Sequence, residues 1–321
     1  MRKFTTLAAA AVAAAASLLA SMAANADMMG GQLQYAAGNY RAAADEYRIL
    51  AEKGDAPAQA KLGQMYLLGK GVEQSDSQAL SWLQKSADQG DRDAQYVIGF
   101  MYSNGRGVER DDAKAADCFR AAAKQDDVEA QFNLGLLYLD GRGVQQSDDS
   151  AYYWFSKAAA QGDAQSQYAA AVLQADGRGT PQDEKAAYAG FEKAAAQGHA
   201  GAEFRLGVMN DLGRGAAQNE AQAIEWYKKA AAHGDANALF VLGTAYDNGR
   251  GVGKDEKAAL AWYEKAARQG DAEAERSLAA KYFTGAGVPA SDAQALSWYR
   301  RAAEQGDVDA QLSTAAMYDL G

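Results

Sequence analysis

The sequence predicts an all-α fold, a right-handed α/α solenoid (superhelix) of 36-residue helix-turn-helix repeats. Apolar residues with the 3.6-residue period of amphipathic helices fill the chain between short turns. A Gly-x-Gly pair recurs every 36 residues, from Gly69 and Gly71 to Gly285 and Gly287. A second column has the same spacing, with Asp126 in the one slot that lacks glycine; it comprises Gly54, Gly90, Gly162, Gly198, Gly234, Gly270 and Gly306.

These columns divide the chain into four predicted segments. They are a signal peptide at 1–26, an N-terminal helical cap at 27–54, seven full repeats at 55–306 and a partial repeat at 307–321.

The first segment has the form of a secretory signal peptide. Arg2 and Lys3 precede an apolar run, and a small-x-small cleavage site ends at Ala26. That run is too short for a membrane helix, and no later segment approaches the roughly 20 apolar residues that such a helix needs. We expect cleavage after Ala26, no membrane span and a periplasmic location.

Each repeat is predicted to contain two helices. In the first repeat they lie near 55–68 and 75–89, with Asp55 and Ser75 as N-caps. Ser75 is followed three residues later by Gln78, which is the spacing of a capping box. The glycine after the second helix is expected to end it in a left-handed conformation.

The predicted core combines small and large residues at fixed positions. The columns that begin at Ala58 and Gly63 leave room for close helix packing. All five tryptophans share one column, and each ring buries about 150–250 Å². We therefore expect a continuous tryptophan core, with thinner packing at its exceptions Cys118 and Gly190; its members are Trp82, Trp154, Trp226, Trp262 and Trp298.

The composition excludes some partners. The net charge of −10 repels phosphate backbones, so nucleic acid is not expected, whereas basic protein segments are weakly favoured. Cys118 is the only cysteine, so the chain forms no intramolecular disulfide.

The Gly-x-Gly pairs follow helices and lack the preceding strand of a phosphate-binding loop, so we interpret them as turns. The residue between the glycines is basic in six repeats. The favoured interpretation is a cation near the last carbonyls of a helix. The alternative is an edge that binds an anionic polymer, formed by Arg106, Arg142, Arg178, Arg214 and Arg250.

Residues 238–270, ALFVLGTAYDNGRGVGKDEKAALAWYEKAARQG, carry the pattern of a known repeat. The chain resembles the Sel-one-like repeat family, relatives of the tetratricopeptide repeat, over residues 55–306. The fourth repeat departs from the pattern at Ala171, Gln174 and Gly190. The resemblance implies an adaptor protein, and envelope relatives regulate sensor kinases, assemble polysaccharide secretion machinery or support cell-wall processes.

Catalytic chemistry is not expected. His199 occupies a helix-cap position, His233 lies on another column, and Cys118 falls in the predicted core. We predict no catalytic residue, no metal site and no cofactor.

The first helix of each repeat is expected to line a concave surface, as in tetratricopeptide proteins. Two variable columns there are predicted to form an apolar groove, although packing against an adjacent helix is the favoured alternative. A third column, Tyr96, Phe132, Tyr168, Phe204 and Phe240, is interpreted as packing. The candidate partner-binding residues are Val97, Phe100, Asn133, Leu136, Val172, Arg205, Val208 and Val241.

The sequence thus predicts a non-enzymatic periplasmic scaffold that binds a protein or peptide partner in the cell envelope. The alternative is a protein that binds polysaccharide or peptidoglycan through the arginine edge and the groove aromatics.

Overall fold

The computed structural model describes residues 28–319, so the predicted signal peptide and Leu320–Gly321 lie outside the described residues. Every regular element within 28–319 is an α-helix. The helices are α1 (28–36), α2 (Tyr40–Glu52), α3 (Ala56–Leu68), α4 (Asp76–Ala87), α5 (Arg92–Asn104), α6 (Asp112–Ala123), α7 (Val128–Asp140), α8 (Asp148–Ala160), α9 (Ala164–Asp176), α10 (Glu184–Ala195), α11 (Ala200–Leu212), α12 (Glu220–Ala232), α13 (Ala236–Asn248), α14 (Glu256–Arg268), α15 (Ala272–Thr284), α16 (Asp292–Glu304) and α17 (Val308–Asp319).

The chain forms two compact units. Unit 1 ends at Trp154 and unit 2 begins at Phe155, so the boundary falls within α8. From α3 onward, odd-numbered helices are the first helices of the repeats and even-numbered helices are the second helices. Within each unit, a helix packs on the helix before it and the helix after it. This is the nearest-neighbour packing of a tandem helical array.

The end of a second helix shows why the 36-residue glycine column exists. Gly54 follows α2 with a φ of 95°, a region that favours glycine. Its N–H donates to the Ala51 carbonyl at 3.1 Å, and the Asp55 N–H donates to the Leu50 carbonyl at 3.1 Å. These two bonds form a Schellman motif, which satisfies carbonyls at the helix end. Asp126, in the slot without glycine, also adopts a positive φ, of 61°.

The Gly-x-Gly pair ends the first helix and brings consecutive repeats together. Gly249 caps α13 in the left-handed conformation with a φ of 70°. Gly251 also has a positive φ, of 68°, and a Cβ there would lie 2.5 Å from the Glu220 carbonyl oxygen of α12. The second glycine is therefore a point of close contact with the preceding repeat. The interpretation of the pair as a structural turn is confirmed.

The N-caps of the second helices form only half of the predicted capping box. Ser75 Oγ accepts a hydrogen bond from the Gln78 N–H at 3.3 Å. The Ser75 N–H, which a capping box would pair with the Gln78 side chain, donates instead to the Tyr66 carbonyl at 3.0 Å. The N-cap half of the box is therefore confirmed, and the reciprocal bond is absent at Ser75 because the first helix of the same repeat already supplies this acceptor.

The prediction of a continuous tryptophan core is wrong by one residue. Trp82, Trp226, Trp262 and Trp298 are half-buried, and Trp154 is buried. The residue that follows each of these positions forms the buried column: Leu83, Phe119, Phe155, Phe191, Tyr227, Tyr263 and Tyr299.

Glycine in the first helix makes room for this buried column. A Cβ on Gly99 would lie 2.8 Å from the ring of Phe119, and one on Gly243 would lie 2.5 Å from the ring of Tyr263. The column that begins at Gly63 therefore permits close helix packing, as predicted.

The half-buried tryptophans pack against the core clusters, and a cation covers the ring. Lys229 Nζ is 4.0 Å from the ring centroid of Trp226, and Lys265 Nζ is 4.0 Å from that of Trp262. The cation is three residues beyond the tryptophan on the same helix, which places both side chains on one face. The lysine thus covers a ring face that the core leaves partly exposed.

The two exceptions in the tryptophan column do not thin the packing in the same way. A Cβ on Gly190 would lie 2.9 Å from the Cβ of Ala171, which stands where most repeats have glycine. The methyl group of Ala171 therefore occupies the space that a side chain at position 190 would need. Cys118 is half-buried against the core that contains Leu83 and Ile98, and burial raises the pKa of its thiol to about 11.

A ladder of side-chain hydrogen bonds, which we call the amide ladder and which the sequence analysis missed, also connects the repeats. Gln59 Nε2 donates to the Ala51 carbonyl at 3.0 Å, and Gln89 Nε2 donates to Gln59 Oε1 at 2.8 Å. Glutamine at both positions of several repeats was the available signal. The same contact recurs as Gln125 to Gln95 and Gln197 to Gln167. A carboxylate replaces the acceptor amide in the pairs His233 with Glu203 and Gln305 with Glu275.

Substitutions at two glycines in one turn test the close contact. Gly251→Ala should destabilise the protein by about 1–3 kcal/mol, because alanine is strained at this φ and its Cβ meets the Glu220 carbonyl. Gly253→Ala is the matched control, since a Cβ there meets nothing within 4 Å and φ is not positive. Urea unfolding of both variants measures the difference. Equal unfolding midpoints would contradict the close contact.

His199 should make the stability of α11 depend on pH. Its Nδ1 accepts the N-cap hydrogen bond from the Ala202 N–H at 3.1 Å, and burial lowers the pKa of the ring. The unfolded state therefore binds the proton more readily. The stabilisation is complete above the unfolded pKa of about 6.5 and decreases as the pH falls below it.

His199→Asp should remove this dependence, because aspartate caps the equivalent helices and stays ionised to about pH 4. We expect the free energy of unfolding of the variant, relative to that of the wild type, to increase by about 0.5–1 kcal/mol when the pH is lowered from 7.5 to 5. Urea unfolding at both pH values measures this difference. The control Asp55→Asn, which retains a capping side chain on α3, should differ from the wild type by the same free energy of unfolding at both pH values. If the difference between His199→Asp and the wild type is also the same at both pH values, the assignment of the pH dependence to His199 is wrong.

Candidate partner-binding surface

The predicted binding residues all lie on first helices, but they are divided between the two units. Val97 and Phe100 lie on α5, and Asn133 and Leu136 on α7, in unit 1. In unit 2, α9 carries Val172, α11 carries Arg205 and Val208, and α13 carries Val241.

In unit 1 these side chains serve mainly the packing of their own helices. Val97 packs against the core that contains Ile98, and Leu136 is half-buried. Asn133 Nδ2 donates to the Glu129 carbonyl one turn earlier at 2.8 Å. Phe100 differs, because 42% of its surface is exposed. Among the four predicted residues of unit 1, Phe100 is thus the one exposed apolar side chain.

In unit 2 the structure brings the predicted residues together around cavities that share walls. A cavity of about 500 Å³, which we call the aromatic cavity, has Arg205 and Val241 in its wall. A second cavity of about 280 Å³ shares Val241 with it. A small cavity of about 40 Å³ joins Arg205 to Val172 and Val208. All four predicted residues of unit 2 therefore contribute to one contiguous surface.

The valines of this surface also pack against the core. Val172 contacts the buried cluster that contains Phe191, and Val208 and Val241 contact the cluster that contains Tyr227. All three are half-buried. Packing and surface exposure, which the sequence analysis treated as alternatives, thus occur in the same side chains.

Three half-buried rings complete the aromatic cavity: Tyr168, Phe204 and Phe240. Each packs at a tilt on a buried ring of its own repeat, with centroids 5.8, 5.5 and 5.7 Å apart for the three pairs Tyr168–Phe191, Phe204–Tyr227 and Phe240–Tyr263. The packing interpretation is therefore confirmed for these members. Their second role as cavity wall was predicted only for the groove aromatics of the polysaccharide alternative, because packing was the favoured interpretation of this regular column.

Carboxylates at helix N-termini form the acidic side of the aromatic cavity. Asp235 and Asp271 cap α13 and α15 and accept hydrogen bonds from the N–H groups of residues 238 and 274. Glu273 lies in the first turn of α15. Within residues 28–319, none of these three carboxylates forms an ion pair, and Arg205 has neither an ion pair nor a side-chain hydrogen bond.

The predicted arginine edge is engaged in contacts between repeats. Arg142 pairs with Asp112 in the first turn of α6 at 2.9 Å, and Arg214 pairs with Glu184 at 2.7 Å. Side-chain hydrogen bonds from Arg110 and Arg142 lower the pKa of Asp112 to about 2. The other described pairs are Arg106 with Asp76 and Arg250 with Glu220 and Asp211.

These pairs account for the column's positions without any ligand. Arg106 also donates to the Leu67 carbonyl near the end of α3, as the favoured interpretation expects. Binding of an anionic polymer stays a prediction.

The histidines, which could take part in catalysis or metal binding, have structural roles in this chain. His199 caps α11, and His233 Nδ1 lies 2.8 Å from the buried carboxylate of Glu203. Across residues 28–319, no three His, Cys, Asp or Glu side chains are grouped so as to hold a metal ion. No described helix has both the length and the apolar character to cross a membrane.

Comparison with solved structures identifies relatives of the same architecture. A protective antigen of uropathogenic Escherichia coli that displays an SLR fold is 34% identical, with a TM-score of 0.82 over 87% of this chain and 60% of that one. A Sel1 repeat protein from Oxalobacter formigenes is 32% identical, with a TM-score of 0.73 over 92% of this chain and 86% of that one. This chain thus spans less than two thirds of the first relative. No curated protein matches the sequence.

The family model described as Sel1 repeat matches seven consecutive windows, which begin one residue after the predicted repeat boundaries. The windows are 56–91, 92–127, 128–163, 164–199, 200–235, 236–271 and 272–307. Together with the helical hairpins, these matches show that the chain belongs to the Sel1 repeat family and is an all-α solenoid.

Proposed function

We propose that this protein is a non-enzymatic adaptor of the bacterial envelope that binds a protein or peptide partner on the first-helix surface of unit 2. Sel1 repeat proteins generally mediate protein–protein interactions. The finer proposal assigns binding to the surface formed by α9, α11 and α13, which the sequence analysis places on the concave face.

The observation that carries the proposal is the row of shared cavities in unit 2. The aromatic cavity and its 280 Å³ neighbour have Phe240 and Val241 as a common wall. Both are open to solvent and combine aromatic and aliphatic side chains with charged and polar groups, so they offer apolar contact area together with groups that can orient a ligand. Rows of helices in solenoids form extended surfaces of this kind.

The structural use of the reactive side chains supports an adaptor over an enzyme. The Cys118 thiol, with its pKa raised to about 11, stays protonated and unreactive near neutral pH. The Nδ1 atom of His199 is committed to the helix cap. A catalytic base would need a free nitrogen within reach of a substrate proton.

The proposed location rests on residues 1–26 of the sequence. Arg2 and Lys3 precede the apolar run, and a cleavage site ends at Ala26. Removal of this segment would change the net charge from −10 to −12, since Arg2 and Lys3 are its only charged residues. An acidic adaptor in the periplasm would attract basic partner segments by electrostatic steering.

Site-specific photocrosslinking tests the binding surface. A photoreactive amino acid at position 237 should capture a discrete partner in intact cells, and the same group at position 192 should not. Asn237 and Glu192 are both exposed, but Asn237 lies in the aromatic cavity and Glu192 lies on the second helix α10. Equal capture from both positions, or capture from position 192 alone, would refute the assignment.

Two arginine substitutions separate the adaptor from the polysaccharide alternative. Arg142→Gln should lower stability by about 0.2–1 kcal/mol through loss of the pair with Asp112, whereas Arg205→Gln should leave stability within about 0.5 kcal/mol. Urea unfolding measures both effects. Neither change should alter co-sedimentation with purified peptidoglycan. Loss of co-sedimentation at wild-type stability in Arg142→Gln would favour the polysaccharide alternative.

A further inference from the structure

We infer that the aromatic cavity recognises a basic segment of the partner: an extended peptide with a lysine or arginine beside the carboxylates of α13 and α15 and an apolar side chain against Phe204 and Phe240. The inference rests on the proposed function and specifies the chemistry of the partner.

The first argument compares equivalent aspartates along the repeats. Asp307 caps α17, and its carboxylate is 3.1 Å from the Nε of Arg276, which lies 31 residues earlier. At the same separation, Asp235 faces the position of Phe204, and Asp271 faces that of Phe240. A phenylalanine therefore occupies the position from which Arg276 neutralises Asp307.

A second internal cation is also missing at these sites. In unit 1, Asp127 is paired with Arg92, 35 residues earlier, at 3.4 Å. The residues at this separation from Asp235 and Asp271 are Ala200 and Ala236. Among the described residues, Asp127 and Asp307 thus each pair with an arginine of an earlier repeat, whereas Asp235 and Asp271 have no such partner.

The replacement rings change what the site can bind. Phe204 and Phe240 are half-buried, and they line the same cavity as the unpaired carboxylates of Asp235, Asp271 and Glu273. A lysine or arginine there gains both charge pairing and contact with an aromatic face. A neighbouring apolar side chain covers the remaining ring surface. The repeats already use this pairing within the chain, where Lys229 covers Trp226 at 4.0 Å.

Arg205 gives the site a direction. Its unpaired guanidinium lies on α11, whereas the three carboxylates belong to the N-terminal ends of α13 and α15. A guanidinium donates hydrogen bonds and cannot accept them, so it suits a backbone carbonyl of the bound peptide. The basic side chain then lies toward α13 and α15. The net charge of −10 adds long-range attraction for a basic segment.

Binding of two synthetic peptides tests the inference. The probes are fluorescein-labelled, acetylated and amidated nonapeptides of sequence Gly-Ser-Leu-Lys-Leu-Lys-Leu-Ser-Gly and its counterpart with glutamate in place of lysine. Fluorescence anisotropy at low salt should show the lysine peptide binding at least about tenfold more tightly than the glutamate peptide. Added salt should weaken its binding, because screening reduces exposed charge pairing.

Neutralising the three carboxylates should abolish this preference. The test variant is Asp235→Asn/Asp271→Asn/Glu273→Gln, in which asparagine still caps both helices. Its control, Asp127→Asn/Glu129→Gln/Asp307→Asn, removes the same number of charges at equivalent repeat positions where Arg92 and Arg276 pair with the aspartates. The test variant should lose about tenfold in affinity for the lysine peptide, and the control should lose less than about threefold. Thermal unfolding confirms that both variants are folded.

Equal losses in the two variants, or tight binding of the glutamate peptide, would overturn the inference. The photocrosslink from position 237 distinguishes this result from failure of the proposed function. If the crosslink persists in the test variant, the surface binds a partner whose segment is not recognised through these carboxylates. If the crosslink is absent even in the protein with native carboxylates, the proposed binding surface is itself wrong.

Discussion

The structure depends on close contact between consecutive helical hairpins, because one hairpin of two short helices cannot bury its apolar faces alone. Two features of the repeat permit this contact. Glycine in the first helix admits the ring of the second, as Gly243 does for Tyr263, and the second glycine of the turn meets the preceding repeat, as Gly251 does at Glu220. Ion pairs and the amide ladder connect the same neighbours but depend on this spacing.

The regular elements could be predicted because each repeat presents the same constraint at the same position. A left-handed backbone at Gly54 requires glycine or a tolerant substitute, and Asp126 shows the substitute. The orientation of the second helix was harder to predict. Trp82 and Leu83 are adjacent in sequence and both apolar, and only the crossing of the neighbouring helices decides which of them faces the centre. The cation one turn further along marks the half-buried position, since Lys85 lies over the ring of Trp82.

The candidate site was predicted in part. Variable positions on first helices indicated Val172, Arg205, Val208 and Val241, and the structure places all four in the walls of contiguous cavities in unit 2; their role in binding stays a prediction. Regular positions were assigned to packing, so the wall formed by Phe240 entered only the polysaccharide alternative. A side chain that is half-buried can pack on its own repeat with one face and contact a partner with the other. Sequence periodicity reports the first role and does not exclude the second.

The proposed peptide site in the aromatic cavity illustrates how a repeat protein can acquire specificity without changing its fold. First helices need a capping side chain, and an aspartate that serves as the cap presents its carboxylate whether or not a cation neutralises it. Where Arg276 or Arg92 lies opposite, the repeat is self-sufficient in charge. Where Phe204 or Phe240 lies there, the cap and the helical packing are unchanged, but the neutralising charge must come from solvent or from a partner. One substitution opposite an obligatory cap thus converts a structural position into a recognition position.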